Sequence, residues 1–296
     1  MAEDTLVLLV GHGTVSELDQ LPEFLKRIRR GRPAPDELIA EMRHRYSAIG
    51  GSPLLRITEE QAAGLSERLG LPCRVVMRFW SPTLDEILDQ LTAYRRVVLL
   101  PMAPFSVHIY SGVIRDALAA FAEQGRQVPE VVAVTPYGED PAFVAATSAL
   151  VARSLAELSC HADTPLILTA HSLPLVVLRG GDPYAELFGA SATAIGKSLG
   201  RPTTLAYQSQ GASGGEWLGP ALEDVLKQAA QNNATGQVAI APVGFVADHV
   251  ETLFDLDIEA RGWAKDLGLE LLRVPAHNTD PAFLDALADV VRRANS

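Results

Sequence analysis

The residues best equipped for chemistry lie near the C-terminal end of the chain. Asp248-His249-Val250-Glu251 is followed by Asp255 and Glu259, so Glu251, Asp255 and Glu259 recur every four residues. On an α-helix that spacing stacks three carboxylates on one face, where like charges repel unless a cation offsets them. Imidazole beside carboxylate suits both ligation of a divalent metal and removal of a proton near neutral pH. The plainer reading makes Asp248 a helix N-cap, Glu251 the far side of its capping box, and the other two carboxylates solvated. Further imidazoles occur at His12, His108 and His171. A basic run, Arg27-Ile28-Arg29-Arg30-Gly31-Arg32, stands out in an otherwise acidic chain. Guanidinium groups hold carboxylates bidentately, although a basic run is more often a solvated, salt-bridged turn.

Strands and helices alternate around these residues. Apolar runs predict strands over 5–10, 74–79, 96–100 and 129–134, and the series restarts with 166–170, 203–207, 238–241 and 271–274. Helices are predicted over 36–48, 82–94, 114–123, 141–158, 185–199, 220–231 and 281–293, and the capping box Thr58-Glu-Glu-Gln61 predicts another that stops at Gly70. The halves echo each other. Asp140-Pro-Ala-Phe143 matches Asp280-Pro-Ala-Phe283, the segment from Ser81 to Leu88 resembles that from Gly219 to Leu226, and Val97–Pro101 resembles Val238–Pro242. Three pairs in register are better explained by duplication than by chance. The expected fold is therefore α/β: two similar doubly wound domains with parallel sheets, residues 1–160 and 161–296, the last helix folding back on the first domain. Ligand is expected in a cleft between them, lined by the C-terminal ends of strands, which brings in His12, His108, His171 and the turn from Asp248 to Glu251.

Composition narrows the function. The 296 residues are 48% hydrophobic and carry a net charge of −11, which argues against general affinity for nucleic acid or an anionic membrane. Two cysteines, Cys73 and Cys160, are too few for an all-cysteine iron–sulfur cluster. The start, Met1-Ala-Glu-Asp-Thr5, lacks a basic leader, and no apolar run approaches membrane-spanning length, so a cytoplasmic protein is expected. Gly11-His-Gly-Thr14 lacks the third glycine of a dinucleotide fingerprint, and Ser213-Gly-Gly215 lacks the ending of a phosphate loop.

Six ordered blocks of the second half resemble the ferrochelatases: Thr169-Ala-His-Ser-Leu-Pro174, Gly181-Asp-Pro-Tyr184, Tyr207-Gln-Ser209, Trp217-Leu-Gly-Pro220, Pro242 through Leu253, and Asp255-Leu-Asp257. In the first half, Ile28–Arg32, Arg45-Tyr46, Ala48–Gly51 and Ser52-Pro-Leu54 are similar to the coproporphyrin-using branch of monoderm bacteria. The resemblance implies two Rossmann-like domains around a porphyrin cleft. It implies insertion of Fe(II) into coproporphyrin III, or protoporphyrin IX, in haem biosynthesis, with iron as substrate and no permanently bound cofactor. An iron or haem delivery protein is the natural partner. The catalytic and metal-site residues fall on His171 and Glu251, and the metal or proton path on Asp255 and Glu259. Porphyrin contacts fall on Arg29, Arg45, Tyr46, Ser52 and Tyr110, with His12 as an extra cleft residue.

The chain departs from that pattern in its first half. Gly13-Thr-Val-Ser16 stands where the branch has Gly-Thr-Pro-Tyr, which leaves the axial ligand open. The loop from Pro101 to Tyr110 is shorter than its counterpart, so Tyr110 keeps the family's tyrosine only for one placement of the gap. His12 resembles the start of small cobalt chelatases. A cobalt or nickel chelatase on a related tetrapyrrole, and a non-catalytic porphyrin or metal carrier, stand as the alternatives.

Overall fold

A computed structural model describes residues 4–211, 215–231 and 233–296. The start at Met1 and the Ser213-Gly214 stretch, read above for leader and phosphate loop, lie outside the described residues. The chain divides into two compact units, Met1–Tyr137 with Thr279–Ser296, and Gly138–Asn278. Among the described residues no helix is long and apolar enough to cross a membrane.

The first unit holds β1 (Thr5–Gly11), α1 (Leu21–Ile28), α2 (Asp36–Ala48), α3 (Leu54–Leu69), β2 (Cys73–Met77), α4 (Leu84–Leu91), β3 (Arg96–Pro101), α5 (Val107–Glu123) and β4 (Glu130–Ala133). Its strands form one parallel sheet in the order β2-β1-β3-β4. β1 is buried throughout, as a strand covered on both faces must be, and its apolar run has no polar alternation. Leu6, Leu8, Val10, Val97 and Leu99 pack with Leu88, Leu91, Ile114 and Leu118 in one core.

The second unit holds α6 (Pro141–Glu157), β5 (Leu166–His171), α7 (Leu175–Arg179), α8 (Tyr184–Leu199), β6 (Thr204–Gln208), α9 (Leu222–Ala230), β7 (Gln237–Ala241), α10 (Val250–Leu253), a π-turn (Asp255–Ala260), α11 (Arg261–Asp266) and β8 (Glu270–Arg273). Its parallel sheet runs β6-β5-β7-β8, the same permutation as the first. Counterpart details repeat as well. Asp140 and Asp280 each cap a helix by accepting from the backbone of Ala142 and Ala282. Met77 N donates to Pro82 O at 2.7 Å and Tyr207 N to Pro220 O at 2.9 Å, and both prolines follow cis bonds. The duplication read from three sequence pairs is thus a duplication of architecture.

Three expectations need correction. The units do not part at residue 160. α6 buries Phe143, Leu150, Val151 and Leu155 and packs on α8, so it belongs to the second unit. The last helix, α12 (Pro281–Asn295), packs on α3 and completes the first. There Gly64 is needed for close approach, since a Cβ would stand 2.7 Å from Leu284 Cδ1, and Arg68 Nε meets Asp285 Oδ1 at 2.6 Å beside the contact. Thr58 is not an N-cap: α3 already begins at Leu54, after Pro53, and the buried Thr58 hydroxyl donates to Leu54 O at 2.7 Å. α5 begins at Val107 rather than Ile114, because Val107, Ser111, Ile114 and Leu118 share one buried face.

Candidate active site

His171 is the last residue of β5, in register with Gln208 of β6. Its carbonyl accepts the Tyr184 hydroxyl at 2.9 Å, which ties the strand end to the start of α8. Glu251 comes from the segment that leaves β7. Gly244 N donates to Thr169 O at 2.9 Å, holding that segment against β5, and α10 then follows with His249 as its N-cap. The two side chains meet, with His171 Nε2 3.5 Å from Glu251 Oε1. Each keeps about a third of its side chain exposed, 31% and 32%, so the pair is accessible.

Asp248 is not the N-cap that the capping-box reading expects. His249 takes that place, with Thr252 as the reciprocal partner. Asp248 instead turns inward, its carboxylate accepting from Arg273, from Asn278 Nδ2 at 2.8 Å and from Thr252 Oγ1 at 3.0 Å. His249 lies on the far side of Glu251, Nε2 3.5 Å from Oε2, while its Nδ1 contacts Ala247 O at 3.1 Å.

The acidic row does not continue on an α-helix. After Phe254 the chain widens into the π-turn, where Phe254 O accepts from both Ile258 N and Glu259 N at 3.0 Å. Spacing by four therefore does not superpose the three carboxylates. Asp255 is buried, 4% exposed, and its carboxylate takes the Ser209 hydroxyl, so it is not the solvated residue of the plainer reading. Glu259 is half-buried. Leu256 and Ala260 are buried in the core against the second sheet, with Ile167, Val238 and Ile240, and anchor the turn. On its other side, buried Gln208 accepts from Thr169 Oγ1 at 2.7 Å and donates to Glu251 O at 2.7 Å.

These surroundings set the charges. Burial alone would lower the His171 pKa, but the Glu251 carboxylate, by charge and hydrogen bond, outweighs it and raises His171 above 6.5. Burial would raise Glu251, yet His171 and then His249 hold it well below the ordinary carboxylate range. Both shifts favour the imidazolium facing a carboxylate. A metal ion held between them would displace that proton, because imidazole and carboxylate bind metal in their deprotonated forms. Among the described residues no group of three or more His, Cys, Asp or Glu is spaced to hold a metal ion.

In the first unit, His12 follows β1 directly and is exposed. Its Nδ1 lies 3.1 Å from the Tyr110 hydroxyl, and its ring meets Phe79 edge-on at 4.8 Å. Arg78 covers both Phe79 and Tyr110, at 4.7 and 5.5 Å. Arg29 ends α1 with Nε 3.3 Å from Pro33 O, and Arg45 Nε pairs with Glu41 at 2.7 Å. Tyr46 is buried and shares a 2.9 Å hydrogen bond with Thr14 Oγ1, so its hydroxyl is used inside the unit. Ser52 Oγ is shielded and meets no partner. His108, expected beside a ligand, is exposed in the first turn of α5. Sequence reasoning named His249 only as part of the turn from Asp248 to Glu251 and did not single out Gln208, Arg78 or Arg273. Gln208 lies inside a quoted block, whereas no local signal marks Arg78 or Arg273.

Solved chelatases share this architecture. CbiX, described as the terminal enzyme for biosynthesis of sirohaem in denitrifying bacteria, superposes with a TM-score of 0.62 at 17% identity, over 98% of this chain and 99% of its own. SirB from Bacillus subtilis with Fe3+ gives 0.60 at 12% identity, over 98% and 95%. At those identities the likeness is one of fold. The ferrochelatase family model matches residues 4–295. A ferrochelatase of Acidobacterium capsulatum is 35% identical over 97% of this chain and 94% of its own length. A coproporphyrin III ferrochelatase of Geobacillus kaustophilus is 32% identical over 96% and 94%. This chain belongs to the ferrochelatase family.

Proposed function

We infer that this chain inserts Fe(II) into a porphyrin in haem biosynthesis, with coproporphyrin III the favoured macrocycle. The observation that carries this reading is the facing pair of His171 and Glu251, 3.5 Å apart, in a chain of this family. Metallation releases two pyrrole protons and strips water from the metal. Glu251, held anionic, attracts the cation and replaces a water. His171 gives up its own proton as the metal arrives and, once neutral, accepts one from a pyrrole nitrogen within hydrogen-bond reach. Asp255 and Glu259 continue the acidic path by which metal enters or protons leave. Arg29 and Arg45 pair with propionate carboxylates, and Ser52 and the pair of Tyr110 with His12 are the further porphyrin contacts, while Tyr46, buried with its hydroxyl on Thr14, supports them from beneath. The chemistry needs no resident cofactor, since iron is the substrate, and a delivery protein supplies the iron or takes the haem. The reaction belongs in the cytoplasm.

Anaerobic metallation followed by absorbance tests the reading, with Fe(II), Co(II) and Ni(II) offered against coproporphyrin III, protoporphyrin IX and sirohydrochlorin. Fe(II) with coproporphyrin III is expected to react fastest. Preference for cobalt with sirohydrochlorin overturns the reading in favour of a cobalt chelatase, a possibility that His12 motivates. Tight porphyrin binding without metallation makes the protein a carrier.

A further inference from the structure

Arg273, the last residue of β8, is almost enclosed, with its side chain 7% exposed. A guanidinium so placed requires anionic partners. It has two, and they flank Glu251 in sequence. Its Nη2 donates to Asp248 Oδ1, and its Nε lies 3.4 Å from Asp257 Oδ1. Asp248 is fixed further by Asn278, which donates to its carboxylate at 2.8 Å and accepts from its backbone N at 2.8 Å. Asp257 lies in the π-turn, 3.8 Å from Arg261 Nη2 as well. One side chain of β8 thus hydrogen-bonds the residue before the N-cap of α10 and stands in ion-pair range of a residue within the widened turn after it. A planar fork can serve carboxylates from two directions, whereas an ammonium acts as a single point.

We propose that Arg273 is a positioning residue for metal insertion: by joining Asp248 to Asp257 it holds the intervening backbone so that Glu251 stands opposite His171. It touches neither metal nor macrocycle. The proposal rests on the reading of His171 and Glu251 as the metal site, and it predicts a defect confined to the metal.

The test compares Arg273→Lys and Asp257→Asn with the unmodified protein. It reads KM for Fe(II), KM for porphyrin, and backbone hydrogen exchange over residues 248–260 against the β5 strand. Loss of an outer partner of a metal ligand typically costs about 10- to 100-fold in metal affinity, and Arg273→Lys is expected to raise KM for Fe(II) by that factor while KM for porphyrin stays within about twofold. Exchange over 248–260 speeds up while β5 is unchanged. Asp257→Asn, which leaves the buried Asp248 pair intact, moves both readouts the same way by less. A general loss of structure would instead raise both KM values and the exchange of β5 together, and that result overturns the proposal. So does a folded Arg273→Lys protein with unchanged KM and exchange. Should Arg273→Lys fail to fold, Asp257→Asn decides by the same criteria. If the unmodified protein inserts no metal, the functional reading fails, and the exchange arm alone decides whether Arg273 holds the segment.

Discussion

Replacing Gly244 with alanine drives a methyl group into the backbone of β5. The new Cβ would stand 2.6 Å from Ala170 Cβ, 2.7 Å from Ala170 Cα and 3.3 Å from Thr169 O. Carbon atoms in contact prefer about 3.5–4.0 Å, so the overlap is roughly 1 Å, and a strand Cα cannot rotate out of the way. The segment carrying Gly244 must lift, breaking its 2.9 Å hydrogen bond to Thr169 O. Overpacking costs about 1–3 kcal/mol, and a backbone obstacle places this substitution near the upper figure. Lifting also separates the approach to Glu251 from the strand that ends in His171. A misplacement of about 1 Å can lower a rate about 100-fold, and that is the loss expected in metallation. Urea unfolding gives the first quantity and anaerobic Fe(II) insertion the second. Gly189→Ala is the control: nothing lies within 4 Å of its added Cβ, and alanine inside a helix is expected to stabilise by about 0.5–1 kcal/mol. A Gly244→Ala protein with the wild-type urea midpoint and rate would refute the close approach and the coupling built on it.

His171→Ala is expected to abolish metallation while porphyrin still binds, read by quenching of porphyrin fluorescence; surviving activity means another group takes the protons. Insertion should rise with pH through the raised His171 pKa, so the limb lies above 6.5, and Glu251→Gln removes the partner that raises it and moves the limb to lower pH. For stability, the raised His171 contributes fully below its unfolded pKa and loses the contribution as pH climbs through the folded value. The depressed Glu251 contributes above its unfolded pKa and loses it as pH falls through its own folded value, so the pair stabilises most between the two. A pH series of urea midpoints, with and without Glu251→Gln, checks this. Asp140→Ala and Asp280→Ala each remove an N-cap and should each cost about 1 kcal/mol in urea unfolding, with no preference for either unit.

The eight strands and the duplication were legible because a strand buried on both faces is written as an unbroken apolar run, and because Asp-Pro starts a helix wherever it stands. The pairing of His171 with Glu251 was not legible from spacing. Parallel sheet register brings those residues together, and only the resemblance of whole blocks named them. The π-turn escaped because a period of four presumes α-helical hydrogen bonds, whereas Phe254 O takes the amide of Glu259. Asp248 was misread as a cap because its true partners, Arg273 and Asn278, arrive from β8 and the loop beyond it. The domain boundary was misplaced because Asp140-Pro and Asp280-Pro announce where helices begin and carry no information about which sheet they cover.

The exchange of α6 and α12 bears on the order in which the molecule is completed during synthesis. The second unit is continuous in sequence, Gly138–Asn278, and has all its parts once Asn278 has left the ribosome. The first unit has its whole sheet by Ala133 but lacks α12, whose Phe283, Leu287 and Val291 are fully enclosed in the finished protein. The lobe made first is therefore the lobe finished last, and its apolar flank along α3 and β3 stays bare throughout translation of the other.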